Sequence, residues 1–152
     1  MPKLSANEIS ELLSSPVIAR LATLNQDGSP YIVPVWQYWD GESMYIVPRG
    51  KSRFVDHIKN DPRAAVSCAD DIIPEHPRVQ LEGDIEIVEG PVPLQGRLLE
   101  IATEMAERYG GEAGLEYLRG TMDYPRYLLR LTPTRLTSWK GTWHPRYQDT
   151  SS

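Results

Sequence analysis

The chain has 152 residues, with 16 basic and 21 acidic side chains and a net charge of −5, a length that suits a single domain. The acidic balance argues against a protein that binds nucleic acid, and the lack of a long apolar run argues against a membrane protein. Because the first residues also lack the apolar core of a secretory signal, we expect a cytoplasmic protein. We expect one domain at residues 1–147, followed by a disordered tail at residues 148–152.

The first predicted elements are a short helix and a group of strands. Ser5 and Glu8 have the spacing of a capping box, and Pro16 ends the helix that this box begins. Strand-like runs follow at residues 17–24, 30–38 and 43–48. Both connections between these runs contain Asp-Gly, which favours a hairpin turn, so we expect an antiparallel meander.

The middle of the chain predicts one more helix and two more strands. The helix covers residues 52–59, the strands cover 63–69 and 79–89, and a loop lies at 70–76. The single cysteine, Cys68, lies in the middle of a strand among small and apolar residues, which is typical of a buried packing residue and not of a nucleophile. One cysteine also excludes an internal disulfide.

The last third of the chain contains the main helical region. It covers residues 94–109 and 112–122, divided at Gly110-Gly111, and a final strand covers 126–138. Its apolar stripe at helical spacing indicates core packing: Leu98, Ile101, Ala102, Met105 and Tyr109. Six strands without regular strand–helix alternation predict a mainly β fold, a small antiparallel barrel with inserted helices.

A short basic segment at residues 48–53 is the first candidate site. It joins a strand to a helix and contains Arg49, Lys51, Ser52 and Arg53 around a glycine. The free amides of a helix N-terminus, a hydroxyl and cationic side chains together can hold a phosphate. We expect Lys51 to contribute most of the charge and Arg49 to face solvent. The alternative is a group of solvated cations beside a helix cap.

The segment after the last strand is the second candidate site. It combines aromatic, imidazole and guanidinium groups at Trp139, Trp143, His144, Arg146 and Tyr147. Aromatic faces beside cationic donors suit a planar, electron-accepting ring. The alternatives are a tail that packs onto the core and a contact between subunits.

Metal and covalent chemistry find no support in the sequence. His57, His76 and His144 lie far apart, and none belongs to a metal-binding frame, so we predict no metal site. The chain also lacks a nucleophile elbow.

Several motifs together resemble the pyridoxamine 5′-phosphate oxidase-like, flavin-binding split-barrel superfamily. In chain order they are residues 18–24 with Asp27-Gly28-Ser29-Pro30, then Pro34-Val35-Trp36 with Trp39-Asp40-Gly41, then Lys51-Ser52-Arg53 with Asn60-Asp61-Pro62-Arg63, then Val79 with Glu82-Gly83, and finally Trp139 with His144-Pro145-Arg146-Tyr147. The resemblance implies a six-stranded antiparallel split β-barrel of Greek-key type, which covers nearly the whole chain.

The resemblance also implies a homodimer that holds FMN between two barrels. Lys51, Ser52 and Arg53 would hold its phosphate, and the segment with Tyr31, Pro34, Val35 and Trp36 would line its isoalloxazine ring. Trp139 and Arg146 would approach the ring from the second subunit. His144 is a candidate for proton delivery.

The implied function is that of an FMN-dependent oxidoreductase acting on a small organic substrate. The oxidase has a basic residue at each end of its second-strand flavin segment, where this chain has Tyr31 and Trp36, and this difference argues against pyridoxamine phosphate as the substrate. One alternative is a reductase of the same fold that uses a deazaflavin. The other is a protein that binds a flavin or another phosphate ligand without turnover.

Overall fold

A computed structural model describes residues 2–141 as three helices and eight strands. The helices are α1 (Ala6–Ser14), α2 (Arg53–Asn60) and α3 (Gly96–Gly120). The strands are β1 (Ala19–Leu24), β2 (Pro30–Val35), β3 (Tyr38–Trp39), β4 (Met44–Ile46), β5 (Arg63–Ala69), β6 (Arg78–Val92), β7 (Arg126–Leu131) and β8 (Arg135–Trp139). No helix in the described part of the chain is long and apolar enough to cross a membrane.

Helix α1 begins with the capping box that the sequence predicts. The Ser5 hydroxyl accepts a hydrogen bond from the Glu8 amide at 3.1 Å, and the Glu8 carboxylate accepts one from the Ser5 amide at 3.0 Å. The amides of Ser5 and Glu8, which would otherwise be unpaired at the start of the helix, are therefore hydrogen-bonded. The apolar face of the helix, Ile9, Leu12 and Leu13, is buried.

The strands form one curled antiparallel sheet, so the predicted mainly β, split-barrel class is confirmed. Their order is β2-β1-β5-β6-β7-β4-β3, and β8 pairs with β6. The long strand β6 connects the two halves, because its first residues pair with β5 and β8 and its later residues pair with β7. The sheet curls around a core that also contains buried side chains of α1 and α2.

The predicted number of six strands is wrong, because two of the predicted runs are each divided. The run 30–38 is interrupted at Trp36 and Gln37 and forms β2 and β3. The run 126–138 is interrupted around Pro133 and forms β7 and β8. A proline has no amide hydrogen to donate to a strand ladder, which explains the second interruption.

The predicted meander of the first three strands is present in part. β1 and β2 form the expected hairpin, and β3 and β4 form the second one across Asp40-Gly41. The other neighbour of β4 is β7, and β4 does not pair with β2. Gln37 lies between β2 and β3, and its buried side chain holds this part of the chain to α1 by donating a hydrogen bond to the Leu13 carbonyl at 2.8 Å.

Helix α3 packs on the outside of β4 and β7 and forms a second core there. The predicted stripe is confirmed for Leu98, Ile101, Ala102 and Met105, which are all buried. Tyr109 is half-buried. The predicted division of the helix is present as a kink at Gly111, where φ is +57° and ψ is −141°. After the kink the helix packs against its own first half, with Gly114 against the backbone of Ala106.

Cys68 lies in the interior of the sheet, as expected. It is fully buried on β5, and burial raises the pKa of its thiol to about 12. The thiolate is the nucleophilic form of cysteine, so this residue is inert at neutral pH.

Candidate functional site

A groove with a volume of about 440 Å³ lies between β2, the segment after β4, and α3. We call it the β2–α3 groove, and its size is within the range of small-molecule sites. Its apolar lining is Val33, Pro34, Val35, Trp36, Ile46, Val47, Pro48, Phe54, Ala102, Met105, Ala106 and Leu118. Its polar lining is Arg49, Ser52, Tyr117 and Arg126.

Arg126 is the buried cation of the groove. It is 3% exposed, and it donates to the carbonyl oxygens of Thr121 at 2.7 Å and Tyr124 at 3.2 Å. It also donates to the Thr121 hydroxyl at 2.6 Å. All three acceptors are neutral. Burial, and to a lesser extent the positive charge of Arg49, lowers the pKa of Arg126.

Arg49 is held beside Arg126 by two tyrosine rings. Its guanidinium carbon lies 4.7 Å from the ring centre of Tyr124 and 5.4 Å from that of Tyr117. Its Nε donates to the Tyr117 hydroxyl at 3.1 Å, and its Nη2 donates to the same oxygen. None of the described lining residues is acidic, so this end of the groove carries two positive charges without a carboxylate to balance them.

The N-terminus of α2 reaches the groove through Ser52. This residue is the N-cap, but its side chain makes no capping hydrogen bond, and it lines the groove near Arg49. Lys51 is exposed and does not line the groove. Arg53 is also outside the groove, where it donates to the Asn25 side-chain carbonyl at 2.9 Å. Arg49, which was expected to face solvent, is half-buried and lines the groove, whereas the predicted roles of Lys51, Ser52 and Arg53 stay predictions.

Strand β2 and the residue that follows it place three of their four predicted residues in the groove. Pro34, Val35 and Trp36 line it. Tyr31 instead contacts α2, with its ring edge-on to the buried His57 at 5.0 Å and beneath the guanidinium of Arg53 at 4.8 Å. β2 is the terminal strand of the described sheet, which is where prolines are tolerated in β structure.

The predicted closing segment is only partly described. Trp139 ends β8, and its ring lies 4.9 Å from the guanidinium of Arg78. It does not line the β2–α3 groove. His144 and Arg146 lie outside the described residues, so their assignment to the site stays a prediction.

The contribution of α3 and of the segment that follows it is not predicted from the sequence. Tyr117, Tyr124 and Arg126 hold or form the cationic end, whereas the sequence pattern there predicts only a helix and a strand. Two tyrosines and an arginine within ten positions were the available signal. Alone they did not indicate a site, because their partner Arg49 lies 68 residues from Tyr117.

Comparisons with known proteins agree with this architecture. The sequence profile of the family described as pyridoxamine 5′-phosphate oxidase matches residues 5–140. A conserved hypothetical protein from Mycobacterium tuberculosis is 27% identical, with a TM-score of 0.74 over 90% of this chain and 85% of that chain. A structure described as an F420 reductase is 26% identical, with a TM-score of 0.63 over 84% and 94%.

A more distant structure shows the fold alone. The heme storage protein HutZ from Vibrio cholerae is 18% identical, with a TM-score of 0.68 over 91% of this chain and 97% of that chain. No match to a curated protein was found.

Proposed function

Because the chain belongs to the pyridoxamine 5′-phosphate oxidase family, we propose that its β2–α3 groove binds a phosphate-bearing cofactor of the flavin type. We propose further that the protein is an oxidoreductase acting on a small organic molecule. The observation that carries this proposal is the pairing of an apolar groove with a cationic end that contains no acid.

The cationic end fits a phosphate. Arg126 is buried beside a second cation, an arrangement that costs free energy unless an anion compensates it. Guanidinium groups form strong, directional hydrogen bonds with phosphate oxygens. The Ser52 hydroxyl and the N-terminus of α2 add neutral donors and a positive dipole end on the same side.

The apolar part of the groove fits a flat ring. Val33, Val35 and Trp36 form one wall, and Met105 and Ala106 of α3 lie among the residues lining the groove. A flavin-type cofactor supplies hydride transfer when it is bound, and the protein contributes binding, orientation and exclusion of water. The lining of this groove performs those three tasks in our proposal.

The similarity to an F420 reductase favours a deazaflavin, F420, as the cofactor. FMN, which the sequence resemblance implies, is the second candidate, because it has a similar tricyclic ring and also carries a phosphate. Binding without turnover, as in a storage or sensing protein, is the alternative to an enzyme.

Titration of the purified protein with F420 and with FMN tests this function. We expect saturable binding of F420 with quenching of its fluorescence, and weaker binding of the matching ribityl compound, which keeps the ring and its ribityl chain but lacks the phosphate. One lost charge-assisted contact costs about 1.5–3 kcal/mol, which is roughly ten- to hundredfold in affinity. Tighter binding of FMN would change the cofactor assignment. A protein that binds neither compound would contradict the proposal.

The outward face of β2 supports a homodimer with the cofactor site shared between subunits. Ile32 is 68% exposed there, Pro34 is exposed, and Trp36 is 39% exposed beside the groove. Contiguous exposed apolar groups of this kind mark interaction surfaces.

Light scattering tests the dimer. We expect a mass of two chains for the parent protein, and a shift towards one chain for Ile32→Lys, because burying the new charge in the interface is costly. Val88→Lys is the matched control, since Val88 is an exposed apolar residue on β6 that does not line the groove. A parent protein that is monomeric at micromolar concentration would rule out the shared site.

A further inference from the structure

The indole of Trp36 is stacked on a second aromatic ring outside the groove. Trp36 follows directly after β2 and lines the groove, whereas Tyr109 of α3 does not. The two rings are nearly parallel, with an interplanar angle of 4° and 5.2 Å between their centres. One face of the indole is therefore covered by Tyr109, and the part of the indole that borders the groove stays accessible.

Tyr109 is itself fixed by its hydroxyl. The hydroxyl donates to the Val17 carbonyl at 2.6 Å, and it accepts from the backbone and side-chain amides of Gln37 at 3.4 and 3.3 Å. Burial raises the pKa of Tyr109, so the ring stays neutral over the physiological range. The ring beneath Trp36 thus has a defined position.

The backbone beside Trp36 is anchored as well. Arg108 donates from one guanidinium nitrogen to the carbonyl oxygens of Gln37 at 2.9 Å and Leu13 at 3.1 Å. Gln37 is fully buried and donates to the same Leu13 carbonyl. Adjacent residues of α3 therefore hold the ring of Trp36 and the chain that follows it.

We propose that Tyr109 is a positioning residue, which holds Trp36 so that the indole forms a wall for the flat ring of the cofactor. This inference rests on the proposed function. A tryptophan at the end of a terminal strand has several side-chain rotamers, and stacking on a fixed ring selects one of them. The cofactor ring then binds to an indole that is already ordered, so binding does not include the free-energy cost of ordering that side chain.

Two variants of Tyr109 distinguish a role in positioning Trp36 from a role in the stability of the fold alone. Tyr109→Phe loses the hydrogen bonds of the hydroxyl but keeps the ring, whereas Tyr109→Leu loses the ring as well. If Tyr109 acts through Trp36, Leu, which loses the stacked ring, weakens binding of the cofactor ring more than Phe, which keeps the ring but loses the hydroxyl that fixes it. If Tyr109 only ties α3 to Val17 and Gln37, both variants lower the melting temperature and change binding in parallel.

The binding experiment uses F420, FMN and the two matching ribityl compounds that lack the phosphate. We expect Tyr109→Leu to lower the affinity for cofactor and ribityl compound by the same factor, roughly two- to tenfold, because aromatic pairs contribute about that much. The ratio of the two affinities should stay unchanged, since the cationic end is intact. Tyr127→Phe is the matched control, because Tyr127 is a buried tyrosine outside the groove whose hydroxyl contacts Lys59 at 3.1 Å.

A second measurement needs no ligand. The contribution of Trp36 to fluorescence is the difference between each protein and the same protein with Trp36→Phe. We expect acrylamide to quench this contribution most strongly in Tyr109→Leu, and in Tyr109→Phe to a degree between that variant and the parent.

If the Tyr109→Leu variant binds all four compounds as tightly as the parent does, the inference is overturned and the proposed function stands. The same holds if Tyr109→Phe weakens binding as much as Tyr109→Leu. If the parent binds neither cofactor, the proposed function fails and the role of Tyr109 towards a cofactor fails with it. The quenching experiment then still shows whether Tyr109 holds Trp36.

Discussion

Gly114→Ala is expected to destabilise the protein by about 3 kcal/mol or more and to abolish cofactor binding. A Cβ atom at Gly114 would overlap the carbonyl oxygen of Ala106 and would lie 3.0 Å from its carbonyl carbon. Both groups belong to the backbone of α3, so neither can move unless the two halves of the helix separate. The second half carries Tyr117 and Leu118, which line the groove, and separation would remove that lining.

Urea unfolding and cofactor titration measure the two effects. Gly120→Ala is the matched control, because Gly120 is in the same helix and a Cβ there meets no atom within 4 Å. We expect this control to keep its affinity and to gain up to about 1 kcal/mol, since alanine favours a helix more than glycine does. A Gly114→Ala variant as stable as the parent would show that the two halves of α3 are not tightly packed.

Arg49→Gln is expected to weaken cofactor binding roughly ten- to hundredfold, which corresponds to the loss of about 1.5–3 kcal/mol from a charge-assisted contact. Arg49 lies in the groove beside Arg126 and is oriented by Tyr117 and Tyr124. Binding of the matching ribityl compound should change little, because it has no phosphate. The melting temperature should also change little, because the hydrogen bonds of the Arg49 side chain go to the hydroxyl of Tyr117, which is an exposed residue.

Lys51→Gln is the informative comparison. Lys51 is two positions away and also basic, but it is exposed and does not line the groove. We therefore expect Lys51→Gln to change the affinity for the cofactor much less than Arg49→Gln does. Isothermal titration of each variant with the cofactor measures this. If Lys51→Gln weakens binding strongly and Arg49→Gln does not, the phosphate lies outside the groove at the N-terminus of α2, as the sequence pattern alone predicts.

The features predicted correctly from the sequence depend on residues that are close along the chain. The capping box of α1 involves residues three positions apart, and the hairpin of β1 and β2 depends on the turn at residues 25–29. The kink in α3 occurs at one of two adjacent glycines. Each of these has a local physical cause, either a cap or a backbone conformation that glycine favours.

The features that were missed depend on distant contacts. Turn chemistry brings β2 beside β1, but it does not determine that β4 pairs with β7. The same limit applies to the site. Arg49 is interpreted as a solvated cation until Tyr117 and Tyr124 are placed around it, and Trp36 is an exposed aromatic until Tyr109 is placed beneath it.

The pairing of β4 with β7 also bears on how the chain folds during its synthesis. A nascent chain can close the hairpin of β1 and β2 as soon as both strands leave the ribosome, but Met44 must wait for Leu131. The segment before α1 waits longer still, because the Leu4 amide donates to the Ser138 hydroxyl of β8. Until β7 has been synthesised, the apolar strand β4 has no partner on one side, and strands with an unpaired edge promote aggregation. Translation that stops before β7 should therefore release an insoluble product and not a shortened, folded protein.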